Sequence, residues 1–391
     1  MVHNKWKRFI LSIVNIFFRV LLLPGKMFAK KIVFKDIIPE KILLIRLDHI
    51  GDVLMTSPAF SLLRERFPQA QIILLTNAAG KQLFSDDPRI NEILTFNWAW
   101  RQQKISDRFS LNKLKELTRL IVRLRKERID VLIDFRGDIR FIILFGLLAG
   151  IRIRISNSRV GKSSLLHYIS HFDIARHEVE RSVDVIECFV RPTTPLRPEI
   201  FLKTSEFSEI RTFVKSELSL SKFPSKLALI APYSSINIKS WPKEYFREVI
   251  DGLLAMDFSI AIVGTSDDSA DAQSIIMGYK SGVFSLAGKT SIRQLAALTA
   301  VSDIIVGVDT GVLHIASCFD TPIIAIFGPT RSVEFRPYSP YSTVIHTNTC
   351  QCNQFLHVKC DSPHNGYAKC LHDLTALMVL QALSVKNSTA V

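Results

Sequence analysis

The sequence predicts an α/β protein made of two parallel-sheet units, and three observations predict it. Runs of four to six residues rich in Ile, Leu, Val and Ala recur at 42–47, 72–76, 131–135, 227–231, 260–263, 304–308 and 322–327. Near-continuous apolar runs of this length suit strands buried on both faces, as in parallel sheets, rather than strands with one wet face. Segments of helical length separate the runs, and turns built from Asp, Gly and Ser follow their carboxyl ends. Strands alternating with helices make βαβ units, whose ligands gather outside the carboxyl ends of the strands.

Composition bounds the reading. A chain of 391 residues has room for two or three domains. With 48% hydrophobic and 22% charged residues it is a folding sequence, not a disordered one. The formal charge of +14 suits nucleic acid, an anionic membrane face or a phosphorylated substrate. Its distribution argues against nucleic acid: residues 1–35 hold eight basic residues and no acidic one, and no DNA- or RNA-binding motif follows.

Those eight are Lys5, Lys7, Arg8, Arg19, Lys26, Lys30, Lys31 and Lys35, and they flank an apolar run at 9–23 that is too short to span a bilayer comfortably. No small-residue cleavage site follows it, which disfavours a secretory signal. Residues 1–35 are therefore expected to be a basic amphipathic helix lying on an anionic membrane surface. A helix packed on the protein's own surface and a signal anchor are the competing readings.

The first folded domain, expected over 36–205, opens with strand 42–47, the loop Asp48-His49-Ile50-Gly51-Asp52 and a helical segment at 53–67. Pro58 leaves two boundaries open: Ser57 caps a new helix, or one helix runs on from near Asp52. Strands at 72–76 and 93–96, a strongly basic helix at 111–128 and a strand at 131–135 ending in Arg136-Gly137-Asp138 complete the legible part. Asp52 and Arg136 both fall at strand carboxyl ends. Residues 191–224 are polar and carry prolines, and read as a linker.

The second domain, expected over 206–345, repeats the pattern with strand 227–231, loop 232–240, helix 242–256, strand 260–263, loop 264–268 and a helix to 279. The stretch VGVDTGVLHIASCFDTPIIAIFGPT at 306–330 is the most informative. Strand 304–308 is interrupted by Asp309-Thr310-Gly311 before helical spacing resumes at 312–318. The free N–H groups of such a helix start, with its dipole, favour a phosphate, and Gly311 permits close approach. Gly328-Pro329-Thr330, after strand 322–327, is a turn that could face the same crevice. Ordinary sheet turns explain the same residues equally well, since a lone glycine turn is a weak signal.

The tail at 346–391 holds Cys350, Cys352, Cys360 and Cys370 among several histidines, then a helix at 368–383. A structural zinc, a disulfide and free thiols all remain open there, because C-x-C followed by gaps of seven and nine is not a usual zinc knuckle. Cys188 and Cys318 sit in apolar surroundings and read as core residues.

Three separated motifs carry a resemblance: IRLDHIGDVLMTSPAF, Lys239-Ser240-Trp241-Pro242, and DTGVLHIA with FGPT. Together, over about residues 41–337, they resemble glycosyltransferase family nine, the ADP-heptose:lipopolysaccharide heptosyltransferases. The resemblance implies a GT-B architecture, two Rossmann-like domains facing across a cleft, with the acceptor on the N-terminal domain and the nucleotide sugar on the C-terminal one. It also implies inversion at the anomeric carbon, no cofactor or catalytic metal, and a place at the inner face of the cytoplasmic membrane. It further implies that the tail helix packs back toward the first domain.

Residue by residue, the resemblance makes Asp52 the general base for the acceptor hydroxyl, with Gly51 beside it. A carboxylate ionised at neutral pH suits that task, while capping of the following helix is the structural alternative. His49 ranks below it as a base. Lys239 is expected to neutralise the departing diphosphate. Thr310, Gly311 and His314 match the phosphate-side motif, and Asp309 is expected to orient that loop or reach a sugar hydroxyl, since two anions repel. Ser234 and Ser235 are plausible phosphate donors, and Asp267 or Asp268 is expected at the ribose. Arg136, with Arg123, Arg125 and Arg140, could meet phosphate or carboxylate on the acceptor. The implied partners are ADP-heptose, a lipid-linked core oligosaccharide and an anionic membrane surface. Another nucleotide sugar, or a catalytically silent binding protein, remains the alternative.

Overall fold

The computed structural model describes residues 32–97, 111–161, 164–218, 221–347, 360, 363–364 and 366–388. The expected amphipathic helix therefore lies outside the described residues, apart from the end of its segment. There Phe34 packs edge-on against Tyr168 and Phe189, each with ring centroids 5.7 Å apart, so that end joins the first folded unit. Among the described residues no helix is long and apolar enough to cross a membrane.

The chain divides into two compact units, Met1–Leu196 and Arg197–Val391. The first holds a six-stranded sheet of β1 (Lys41–Ile45), β2 (Gln71–Thr76), β3 (Glu92–Thr95), β4 (Val131–Asp134), β5 (Ile153–Asn157) and β6 (Tyr168–Ser170). Its order is β3-β2-β1-β4-β5-β6, and every pairing is parallel. The connections include α1 (Ile50–Leu54), α2 (Ser57–Arg66), α3 (Ala78–Leu83), α4 (Leu111–Lys126) and α5 (Ile139–Phe141), which runs into a π-helix at Ile142–Leu147. Helix α6 (Glu178–Asp184) follows the sheet. Neither boundary weighed around Pro58 is complete by itself. A first helix covers Asp52, turns at Met55-Thr56, and a second starts at Ser57 with the proline in its first turn, where no amide hydrogen is needed.

The second unit repeats the architecture with β7 (Leu227–Ala231), β8 (Ser259–Ile262), β9 (Val283–Ser285), β10 (Ile304–Val308), β11 (Ile323–Phe327) and β12 (Ser342–His346). The order β12-β11-β10-β7-β8-β9 is the same permutation. In each unit the first and fourth strands lie side by side while their successors run off in opposite directions. That is the doubly wound switch point, where the loops after both strands diverge and leave a crevice.

Alternate residues of these strands enter different cores. Ile230, Ile262, Val306, Val308 and Ile324 pack beneath α8 (Lys243–Leu254), α9 (Ser269–Ile276) and the C-terminal helix. Leu229, Ala261, Ile305 and Ala325 face the opposite layer, with Leu298, Leu313 and Ala316. Both faces are dry, which is why the sequence runs are apolar without alternation.

Two sequence expectations are corrected. The stretch read as a linker contains helix α7 (Thr204–Glu217), which packs through Ile210 and Val214 onto α10 (Ile292–Ala300). Its start is fixed by the Glu206 carboxylate accepting the Lys203 amide hydrogen at 2.7 Å. The single helix expected at 368–383 is two. After α11 (Gly311–Ala316), α12 (Ser332–Phe335) and a small hairpin of β13 (Pro363–His364) and β14 (Tyr367–Ala368) come α13 (Lys369–His372) and α14 (Ala376–Ser388). The break lets the Leu374 carbonyl accept the indole hydrogen of buried Trp241 at 2.8 Å. Helix α14 packs on α8, β11 and β12 of its own unit.

Candidate active site

At the switch point of the first sheet, Arg46 leaves β1 with its side chain almost fully buried. Its guanidinium reaches Glu178 Oε1 at 2.7 Å, Asp48 Oδ2 at 2.9 Å and Asp52 Oδ1 at 3.2 Å, and donates to the Phe135 carbonyl at 3.0 Å. Burial opposes its charge, but Glu178 and Asp52 outweigh burial and hold Arg46 above its ordinary range. Burial likewise opposes the charge of Glu178, which Arg46 and Arg181 overcome, leaving it below the usual carboxylate range. Arg181 donates to Glu178 Oε2 from Nη2 at 2.5 Å and stacks over Phe172, 4.5 Å from its centroid. Buried charges persist only when paired in this way.

Asp52 is the member of the group that meets solvent. It sits in the first turn of α1, its side chain 23% exposed, and its backbone carbonyl accepts the Thr56 hydroxyl at 2.9 Å. The N-cap of α1 is His49, so Asp52 does not fill the capping position. His49 itself is exposed and makes no side-chain cap. Gly51 is buried beside Asp52.

The loop after β4 is held from within. Asp134 accepts hydrogen bonds from the amides of Arg136 and Gly137 at 3.1 Å, from that of Asp138 at 2.8 Å and from the Ser156 hydroxyl at 2.9 Å. Full burial pushes its carboxyl up to about 6 despite these donors. Gly137 has φ +76°, and a Cβ there would meet Asn157 Oδ1 at 2.2 Å. The loop delivers Arg136 onto Asp48 as an ion pair. Burial, then the positive charges of Arg46 and Arg159, pull Arg136 below the ordinary guanidinium range. Arg123 and Arg140 are taken by Glu92 and Asp138.

The second unit carries a matching cluster. Lys239 Nζ lies 2.7 Å from Asp309 Oδ2, an oxygen that also accepts the Thr330 hydroxyl at 2.6 Å. The two ion-pair side chains are 16% and 7% exposed. Each comes from a different loop: Lys239 ends a 3₁₀ turn at Asn237–Lys239 after β7, Asp309 follows β10, and Thr330 follows β11. The lysine loop is anchored by Trp241, which is buried edge-on against Phe246 with centroids 4.8 Å apart. Gly307 explains the tight approach of β10 to β7, since a Cβ there would lie 2.6 Å from the Ala231 carbonyl oxygen. Thus the loops carrying Lys-Ser-Trp-Pro, Asp-Thr-Gly and Gly-Pro-Thr do converge.

The other candidates are placed less uniformly. Thr310 is the N-cap of α11 and makes no side-chain cap bond, Gly311 begins that helix, and His314 is buried within it. Ser234 is half-buried and Ser235 exposed on the loop after β7. Asp268 is occupied locally, accepting the amide and hydroxyl of Thr265, both at 2.7 Å, whereas Asp267 is exposed. Neither aspartate contacts the Lys239 cluster. Tyr233 packs against that loop, and its hydroxyl is buried with no hydrogen bond among the described residues.

Cys370 is fully buried in the core and Cys360 packs against it partly buried, while Cys350 and Cys352 lie outside the described residues. Cys188 and Cys360 are free thiols, and no described group of three His, Cys, Asp or Glu could hold a metal ion.

Sequence reasoning missed Arg46, Glu178 and Asp134. A charged residue inside the strand motif IRLD was a usable signal for Arg46. Glu178 had none, being 132 residues away.

The profile described as "Glycosyltransferase family 9 (heptosyltransferase)" matches residues 117–364. Lipopolysaccharide heptosyltransferase 3 of Escherichia coli K12 is 28% identical over 301 residues, 74% of this chain and 83% of that protein. In fold, the chain matches the structure of E. coli ADP-heptose lps heptosyltransferase II with a TM-score of 0.70 at 23% identity, covering 88% and 98% of the two chains. It also matches E. coli heptosyltransferase WaaC with ADP-2-deoxy-2-fluoro heptose, with a TM-score of 0.66 at 20% identity, covering 88% and 99%.

Proposed function

The chain belongs to glycosyltransferase family 9, and from that premise we propose that it moves a heptose from ADP-heptose to a lipopolysaccharide core or related lipid-linked acceptor, inverting the anomeric carbon. The observation that carries the reading is the Lys239–Asp309–Thr330 cluster at the carboxyl ends of β7, β10 and β11. A cation held by a carboxylate, beside a helix that starts at Gly311, suits an anionic diphosphate. The relatives' names supply the sugar and the nucleotide.

In this reading Lys239 stabilises the charge that develops on the departing diphosphate, the position where electrostatic help acts on the transition state rather than the ground state. Asp309 positions Lys239 rather than meeting phosphate itself. Thr310, Gly311 and His314 line the phosphate side, Ser234 and Ser235 donate to it, and Asp267 is the freer of the two aspartates for the ribose. Asp52 takes the proton from the acceptor hydroxyl. Arg46 holds one Asp52 oxygen and leaves the other to the substrate, and Arg136 binds acid groups of the acceptor. The basic segment 1–35 brings the enzyme to anionic lipid, on the inner face of the cytoplasmic membrane.

Isothermal titration with ADP-heptose and other nucleotide sugars, with ADP release followed in parallel, tests the proposal. Binding with slow ADP release that accelerates when acceptor is added is the expected result. Tighter binding of a different nucleotide sugar would reassign the donor, and binding without any release would make the protein a silent nucleotide-sugar binder.

A further inference from the structure

We propose that the outward face of α4 is a second membrane contact, built to lie on an anionic lipid bilayer. The helix is sixteen residues long and has six basic residues against one acidic, Glu116. Its inner side is conventional: Leu120 and Leu124 are buried, and Leu117 and Ile121 pack beside them on a core containing Phe141 and Phe145. Its outer side is not. Leu111 is 75% exposed, Leu114 58% and Val122 47%.

At 3.6 residues per turn, Leu111, Lys115, Val122 and Lys126 fall on one line opposite Leu120 and Leu124, with Arg119 and Arg125 on its flanks. Lys115, Arg119, Arg125 and Lys126 are exposed, and none is ion-paired to a described residue. Leucine and valine standing among cations that pair with no described residue are poorly served by water. They suit an interface where aliphatic tips enter the acyl boundary while Lys and Arg stems reach back to anionic headgroups. Charge complementarity therefore names a bilayer rather than another protein as the occupant. The face lies on the first folded unit, is separate in sequence from the basic segment 1–35, and does not depend on the transfer chemistry.

The test uses the full chain as Val122→Cys carrying an environment-sensitive fluorophore, with identically labelled wild type as the blank for native thiols. Vesicles of phosphatidylglycerol and phosphatidylcholine should shift the emission to the blue, saturating at the lipid concentration that sediments the protein. Pure phosphatidylcholine should not. Lys115→Gln, Arg119→Gln and Lys126→Gln together should weaken the shift roughly a hundredfold in lipid concentration, at about fivefold per cation. ADP release by that triple variant without vesicles should stay at the wild-type value, so a failure of the transferase reading registers separately. Unchanged emission while the protein still sediments would overturn the proposal. An equal shift with neutral vesicles would do the same. So would a shift on adding unlabelled protein without lipid, which would give the face to a second copy.

Discussion

Replacing Asp52 by asparagine separates its proposed chemistry from its structural contacts. Among the carboxylates around Arg46, Asp52 makes the longest contact, 3.2 Å against 2.7 Å to Glu178 and 2.9 Å to Asp48, and it is the most exposed. Asparagine keeps an oxygen for Arg46 and the same volume, and a partly solvated pair contributes about 1 kcal/mol or less. For a unit of this size that is a Tm shift of about 4 °C at most. Loss of a general base lowers turnover by roughly 10²–10⁴, equivalent to about 3–5 kcal/mol in the barrier. Lys239 and Asp309 are untouched, so donor affinity should stay within about twofold. Continuous ADP-release kinetics at saturating donor and acceptor, with donor titration by calorimetry and a melting curve, give the three numbers. Turnover within tenfold of wild type would refute the base assignment, as would lost donor affinity with normal turnover at saturation.

Arg46→Lys keeps a charge but cannot span Glu178, Asp48 and Asp52 together, so kcat should fall with little change in donor affinity, alongside a clear drop in Tm. Removing the charge outright, as Arg46→Met, leaves Glu178 with Arg181 alone and should cost about 3–5 kcal/mol of stability in urea unfolding. Lys239→Met should lower kcat by roughly 10²–10³ and weaken ADP binding, and isothermal titration should show the ADP loss shrinking at high salt. Asp134 predicts a pH dependence. Its carboxyl ionises near about 6 when folded against the ordinary 3.8, so the folded chain binds the extra proton. Stability from this group is therefore greatest below about pH 4, falls as pH rises to about 6 and is flat above, by about 3 kcal/mol at most. Urea midpoints of the wild type and Asp134→Asn should differ in slope across that window and run parallel above it.

Much of the architecture was readable from residue order alone. Seven runs of apolar residues correspond to β1, β2, β4, β7, β8, β10 and β11, because a strand buried on both faces must be apolar at consecutive positions. Strand β3 was legible too, but β5, β6, β9 and β12 were not. Three of those four, β6, β9 and β12, end their sheets, and all four are short or half-exposed and carry a serine, joined by Arg154 in β5 and Tyr168 in β6. Helix α7 was hidden inside a polar, proline-bearing stretch because only two of its residues, Ile210 and Val214, are buried.

The candidate site divides in the same way. Local turn chemistry marked Asp309 and Thr330 and position after a strand marked Asp52, whereas Lys239 was marked by the family resemblance. Their partners came only from the tertiary structure. Lys239 meets Asp309 across 70 residues, and Arg46 meets Glu178 across 132. The order β3-β2-β1-β4-β5-β6 sets loops that are distant in sequence beside one another, and the same order in the second sheet does likewise. Periodicity determines which face of a strand is dry. Which loops then share a crevice depends on the strand order, because a parallel crossover returns the chain to the same sheet without recording in its local sequence which neighbour it will pair with.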